Sequence, residues 1–221
     1  MAKILLLHGY GVGVTYPFFR QALGPHAGFD AFGPQIDAGE AVVFRWDIAV
    51  TISLLNLLNP FAYLKLYRDE FALARSASLQ ARLGQVFSEA QPETIVCHSM
   101  GAALLLTYVE QHGLPGCVRR VVFSQADIDA DYPVPSALHQ RLTDGSLRLD
   151  NYHSWQDQAL WSSAFIHRSW RAGLFGLRDA RVRNHFFPLR RGPNWHTSAI
   201  CDPEFRRIVL SESSAEGSGR L

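Results

Sequence analysis

The chain has 221 residues, of which 48% are hydrophobic and 19% are charged, and its formal net charge is +1. This length and composition are those of a single globular domain with a substantial core. A net charge so close to zero argues against a dedicated nucleic-acid-binding protein, because such proteins normally carry a strong basic excess.

The cysteines indicate the redox environment. Cys97, Cys117 and Cys201 are odd in number and widely spaced, so they form neither a disulfide framework nor a zinc motif. We therefore expect a reducing compartment and a cytoplasmic protein. His, Asp and Glu residues show no metal-ligand spacing, and we expect neither a metal nor a cofactor.

Two apolar runs in the first half of the chain predict buried strands. Ile4–Leu7 and Ala41–Phe44 are continuous rather than alternating, as is typical of strands covered on both faces. The first run is too short for the core of a signal peptide. Residues 15–40, rich in glycine and proline, predict a short helix with loops, and residues 65–90 predict a helical region.

Residues 94–106 contain a serine in an unusual setting. A short apolar strand is followed by a tight turn at Ser99 and then by a helix of small and apolar residues. The positions two before and two after Ser99 must be small, because strand and helix pass close together there. Gly101 meets this demand, and Cys97 occupies the other position. The alternative interpretation is a serine that only caps the helix.

The second half of the chain continues the alternation of strands and helices. Residues 119–124, 147–152 and 181–187 predict three more strands, with a helix from 158 to about 172 between the last two. A final helix is predicted at 204–210, and 211–221 is expected to be a flexible tail. This order predicts an α/β protein with a three-layer α/β/α sandwich and a mostly parallel sheet of about six strands.

The sequence Cys97-His-Ser-Met-Gly101, placed between a strand and a helix, resembles the nucleophile elbow of the α/β-hydrolase superfamily. Cys97 stands where the usual G-x-S-x-G pattern has its first glycine. The resemblance covers nearly the whole chain up to Leu210, as one domain over residues 1–210. It implies a small serine hydrolase with esterase, lipase, thioesterase or amidase activity.

In this superfamily the nucleophile, acid and histidine follow one another along the chain, each after a strand. Ser99, Asp157 and His196 occur in that order after predicted strands. The resemblance therefore implies that Ser99 is the nucleophile, His196 the base and Asp157 the acid that orients it. It further implies an oxyanion hole formed by the backbone N–H of Met100 and that of Gly9 or Tyr10.

The acid has rivals in the acidic segment after strand 119–124. Asp127, Asp129 and Asp131 lie at a position where some hydrolases carry the acid, and Asp127 is the main alternative to Asp157. Asp157 could equally cap the helix that follows it, and one residue could fill both roles. The other histidines precede the acid or lie inside a predicted element.

Residues 48–64 form the most apolar stretch outside the predicted strands. They are short for a membrane span and are interrupted by Pro60, which leaves a buried pair of linker helices or a lid over the active site. Residues 168–191 contain seven arginines and a single acidic residue, Asp179. They predict either a solvated surface or a docking site for anionic lipid or an acidic partner.

The sequence thus predicts a serine hydrolase that cleaves an ester or thioester of a small or acyl-chain substrate through an acyl-enzyme. The alternative is an inactive hydrolase-fold protein that binds ligands or makes weak peripheral contact with a membrane.

Overall fold

The computed structural model describes residues 3–9, 14–15, 26–46, 50–51, 60–189 and 195–215. The strands in this part are β1 (Ile4–Leu7), β2 (Val14–Thr15), β3 (Ala41–Phe44), β4 (Val50–Thr51), β5 (Thr94–His98), β6 (Arg120–Ser124), β7 (Arg148–His153) and β8 (Arg183–Phe186). The helices are α1 (Gly33–Asp37), α2 (Pro60–Ala74), α3 (Ala77–Ala90), α4 (Gly101–His112), α5 (Ser136–Thr143), α6 (Gln158–His167), α7 (Ala172–Phe175) and α8 (Pro203–Ala215).

Six of the strands form one sheet in the order β3-β1-β5-β6-β7-β8, and every pair in it is parallel. The two short strands β2 and β4 pair in parallel by themselves. Parallel neighbours require crossover connections, which the helices supply. The predicted α/β class and the six-stranded sheet are confirmed, and all six strands predicted from the sequence are members of this sheet.

Helices cover both faces of the sheet and make three layers. Side chains that alternate along β1 belong to different cores: Leu5 and Leu7 pack with α3 and α4 on one face, and Leu6 packs with α8 on the other. β5 is buried along its whole length. This arrangement explains why the central strands are continuously apolar rather than alternating.

The helical region predicted over 65–90 is present as two helices, and the helix predicted from residue 158 is shorter than expected. The region predicted over 65–90 is divided into α2 and α3 at Ser76, whose hydroxyl accepts the Leu79 N–H and so begins a new helix. The helix predicted from 158 to about 172 ends at His167, because Arg168 adopts a left-handed conformation with φ 54°.

The segments at the margins differ from expectation in part. Within residues 48–64, Val50–Thr51 forms β4 and α2 begins at Pro60. Residues 48–49 and 52–59 lie outside the described residues, so the predicted lid or linker falls mostly outside them. In the predicted tail, helix α8 continues to Ala215. Extending a helix that is already anchored requires little stabilisation per residue, so the polar residues 211–215 can continue it. Residues 216–221 are outside the described part.

Candidate active site

Ser99 lies on the turn between β5 and α4 with φ 53°, a left-handed conformation that is rare for a residue with a side chain. The turn is held by backbone hydrogen bonds: the Ser99 N–H donates to Ser124, and the Ser99 carbonyl accepts from Asp127 N–H at 3.1 Å. A strained conformation that is fixed from both sides is typical of a functional position.

The glycines around the turn are required by close packing. A Cβ atom on Gly101 would lie 2.4 Å from the carbonyl oxygen of Leu7, and one on Gly9 would lie 2.6 Å from the Ser99 Cβ. Both distances are shorter than any real carbon contact, so the approach of β1 to α4 admits only glycine here. The sequence requirement for a small residue after Ser99 therefore has a steric cause.

Cys97, the departure from the G-x-S-x-G pattern, is completely buried in the core on the α4 face of the sheet. Burial raises the pKa of its thiol well above the ordinary value. The thiol therefore remains protonated and acts as a small apolar side chain.

His196 and Asp157 are in direct contact. The Nδ1–H of His196 donates to Oδ2 of Asp157 at 2.6 Å, and the other carboxylate oxygen of Asp157 accepts the Leu160 N–H at 3.1 Å. Asp157 is thus both the N-cap of α6 and the partner of the imidazole. With the proton held on Nδ1, the Nε2 atom of His196 retains its lone pair and can accept a proton.

His98, the residue before the serine, fixes the position of His196. Its Nε2–H donates to the backbone carbonyl of His196 at 2.9 Å, and the two imidazole rings lie 4.6 Å apart between centroids. Burial, with a smaller contribution from the nearby charge of His196, lowers the pKa of His98 to about 3. His98 is therefore a neutral donor that positions His196, a role that was not predicted from the sequence.

The side chains of Ser99 and His196 line one cavity of about 510 Å³. Its other lining residues are Leu64, Tyr67, Asp127, Ala159, Leu160, Ser162, Ser163 and Ile166. A volume of this size and a largely apolar wall with a few polar groups are typical of small-molecule sites.

Comparison with known families identifies the fold. Residues 68–186, more than half of the chain, match the family described as alpha/beta hydrolase of unknown function (DUF900). The chain belongs to this family. The superfamily expected from the elbow sequence is thereby confirmed. The matched residues include Ser99 and Asp157 and end before His196. A search of the curated proteins finds no match.

In this hydrolase fold, the expected oxyanion groups lie next to the serine. Met100 is the N-cap residue of α4, where N–H groups have no intrahelical acceptor, and Gly9 is in contact with Ser99. The Gly9 carbonyl accepts the Nδ1–H of His8, whose Nε2 accepts the backbone N–H of Trp46. Tyr10, the other predicted donor, lies outside the described residues.

Asp127, the alternative acid, has other partners in this structure. Its Oδ1 accepts from Arg171 Nε at 2.7 Å and from the Ser163 hydroxyl at 2.5 Å, and its Oδ2 accepts the Tyr67 hydroxyl at 2.8 Å. Arg171 is itself 2% exposed and donates to the Asp127 carbonyl as well. Asp127 therefore belongs to a buried ion pair in the cavity wall, while Asp157 contacts the imidazole.

The other acidic candidates are also paired with arginines. Asp129 contacts Arg171, and Asp131 contacts Arg178 on the surface. Several arginines of the 168–191 segment are thus neutralised locally, Arg181 by Asp179 among them. The charge excess seen in the sequence is smaller in the folded chain, which weakens the interpretation of this segment as one basic docking site.

The described residues lack two further features. Groups of three or more His, Cys, Asp or Glu side chains arranged to hold a metal ion are not found among them. None of the helices in this part of the chain is long and apolar enough to cross a membrane.

Proposed function

We propose that this protein is a serine hydrolase that cleaves an ester or thioester through Ser99, His196 and Asp157. The observation that carries the proposal is the contact of His196 with Asp157 at the edge of the cavity that Ser99 lines. Membership of an alpha/beta hydrolase family supports the fold on which such a reaction takes place.

The reaction is acyl transfer in two steps. Ser99 Oγ attacks the acyl carbon and loses its proton to Nε2 of His196, and Asp157 stabilises the imidazolium that forms. The backbone N–H groups of Met100 and Gly9 receive the oxyanion. His196 then protonates the departing alcohol or thiol, and a water molecule deprotonated by the same imidazole hydrolyses the acyl-enzyme.

The cavity wall favours an apolar acyl group. Leu64, Leu160, Ala159 and Ile166 line the cavity together with the serine, and the volume of about 510 Å³ accommodates a small or medium acyl chain. A panel of p-nitrophenyl esters of increasing acyl length would locate the chain length at which kcat/KM is greatest.

Labelling with a fluorophosphonate probe tests the nucleophile. The wild-type protein should become labelled, and Ser99→Ala should not. Ser162→Ala is the matched control, since Ser162 lines the same cavity and its hydroxyl donates to the Gln158 carbonyl. A folded wild-type protein that resists the probe and hydrolyses no ester or thioester would instead be an inactive, ligand-binding member of the fold.

We further propose a reducing, cytoplasmic location and a small-molecule substrate rather than a nucleic acid. Three cysteines without disulfide partners and a net charge of +1 support these proposals. Fractionation of cells, with thiol titration of the purified protein, tests the location; recovery outside the cytoplasm with oxidised cysteines contradicts it.

A further inference from the structure

An aromatic surface lies exposed beside the active-site cavity. It consists of Trp161, Phe165, Ile166, Trp170 and Phe175, which are 42%, 86%, 40%, 51% and 50% exposed, and we call it the aromatic face. Trp161, Trp170 and Phe175 contact one another edge to face, with ring centroids 5.3 to 5.9 Å apart. Contiguous exposed apolar surface of this kind marks an interaction site more often than an accident of composition.

Helix α6 is apolar on both sides, which makes the exposure unusual. Leu160 and Ala164 on its inner side are buried with Leu174 of α7. Trp161, Phe165 and Ile166 on the other side are exposed to solvent. A helix with apolar residues on both sides is ordinarily covered on both sides. The described residues leave the outer side of α6 exposed, so we expect a partner outside the chain to cover it.

The charges at this face are positive. A groove of about 770 Å³ borders it and is lined by Arg68 and Arg168 together with Trp161, Phe165 and Trp170. Both guanidinium groups belong to exposed residues, and neither forms an ion pair with a described residue. In the described part of the chain, no acidic side chain lines the groove.

We propose that the aromatic face docks on an anionic lipid bilayer. Tryptophan and phenylalanine insert at the boundary between headgroups and acyl chains, and arginine binds lipid phosphate while its stem lies along apolar surface. A second copy of the chain is a poorer occupant. A symmetric dimer through this face would bring Arg68 and Arg168 of the two copies together, and like charges repel.

The position of the face adds support. Leu64 and Ile166 line both the groove and the cavity that contains Ser99. Docking at this face would therefore place the cavity beside the lipid surface, where an acyl substrate could enter without crossing water. The proposal does not depend on catalysis, because binding to vesicles is measured without turnover.

Co-sedimentation with vesicles tests the docking. Vesicles of equal parts phosphatidylglycerol and phosphatidylcholine should bind the protein, and phosphatidylcholine alone should bind it more weakly. Phe165→Ser should weaken partitioning about tenfold, since burying one large apolar side chain changes an equilibrium constant by a decade or more. Phe186→Ser is the matched control, because Phe186 is 52% exposed on β8, outside the groove.

Further variants test the role of charge in vesicle binding and separate this binding from catalysis. Arg68→Gln should reduce the preference for anionic vesicles, whereas Arg183→Gln on β8, also an exposed arginine, should leave it unchanged. Ser99→Ala should bind vesicles as the wild type does, so failure of the proposed hydrolysis would not affect this result.

The outcomes are decisive in both directions. Binding that Phe165→Ser weakens and Phe186→Ser does not supports the proposal. The proposal is overturned if both variants bind vesicles equally well, whether weakened or not, or if the wild type does not bind anionic vesicles. If the wild type instead forms a dimer in solution that Phe165→Ser dissociates, and does not bind vesicles, the face is a protein interface and the lipid proposal is wrong.

Discussion

The pKa of His196 is subject to two opposing effects. Burial lowers the pKa of an imidazole, but the charge and hydrogen bond of Asp157, with a smaller contribution from Asp127, outweigh it and raise the pKa of His196 above its ordinary value. The same contact holds the pKa of Asp157 below its usual range, although burial acts in the other direction. His196, the proposed base, is therefore protonated over a wider pH range than a free imidazole.

The pH dependence of hydrolysis tests this balance. Because only neutral His196 accepts the serine proton, kcat/KM should rise with pH, with a midpoint above that of a free imidazole. Asp157→Asn should move this midpoint to lower pH and reduce kcat by about 10³ to 10⁴. Asp131→Asn, which removes an exposed carboxylate paired with Arg178, should leave the profile unchanged. An unmoved midpoint in Asp157→Asn would contradict the assignment of the acid.

His98 provides a second test at this scale. His98→Phe keeps an aromatic ring and removes the donor to the His196 carbonyl, leaving a partly buried acceptor without that donor at a cost of roughly 1 to 3 kcal/mol. We expect kcat to fall with little change in KM, because the base is displaced while the substrate cavity persists.

His98→Gln, which retains an N–H donor, should recover part of the lost kcat. His112→Phe, at the exposed end of α4, is the control for a change of histidine alone. A rise in KM with an unchanged kcat in His98→Phe would argue against a positioning role.

The residues of the site differ in how far the sequence could predict them. Ser99, Asp157 and His196 follow strands in the order of the superfamily, so local pattern and order were sufficient to propose them. The role of His98 depends on a contact with a loop almost a hundred positions later, and no local pattern encodes it. The choice between Asp127 and Asp157 depended likewise on Arg171, a distant residue.

At the scale of elements, the approach of α4 to β1 is the tightest contact around the serine. Gly101→Ala would place a Cβ 2.4 Å from the Leu7 carbonyl and 2.8 Å from that of His8, so strand or helix must move. We expect a loss of about 1 to 3 kcal/mol or more in the free energy of unfolding, measured by urea denaturation.

Gly116→Ala is the control for the glycine substitution. A Cβ there meets no atom within 4 Å, so the stability should change little. Equal stabilities of the two variants would show that the turn can relax and that Gly101 is not required by packing.

Helix ends show a limit of sequence patterns at this scale. The apolar composition of residues 158–172 predicts one helix, but Arg168 takes a left-handed conformation and begins the turn that brings Arg171 to Asp127. The ion pair, a tertiary contact, overrides local propensity. The aromatic face was missed for a related reason, since apolar residues in a helical pattern are ordinarily assigned to the core.

At the scale of the molecule, the Asp127–Arg171 ion pair links the end of β6 with α7 behind the cavity. Arg171→Met would leave a carboxylate buried without its charge partner, and we expect a loss of roughly 3 to 5 kcal/mol in the free energy of unfolding. Arg178→Met, which breaks the exposed pair with Asp131, should have little effect.

The double variant Asp127→Asn/Arg171→Met should be more stable than Arg171→Met alone, because the unpaired charge is removed with its partner. If the double variant is no more stable than the single one, the buried charge is not the cause of the loss.

The strands themselves could be predicted from the sequence, but their order in the sheet could not. Apolar runs reveal strands such as β1, β3 and β5, but neighbours such as β1 and β5 are separated by several elements along the chain. Their pairing is decided by crossover connections and by which faces the helices cover.

The wide separation of Ser99 and His196 along the chain has a consequence for synthesis. Ser99, the proposed nucleophile, leaves the ribosome about a hundred residues before His196, the proposed base, which at ordinary rates of translation is a delay of roughly 5 to 20 seconds. During that interval the hydroxyl has no imidazole to deprotonate it. A nascent chain stalled ahead of residue 196 should consequently be inert toward a fluorophosphonate, and reactivity should appear only when the last strand and its loop have emerged.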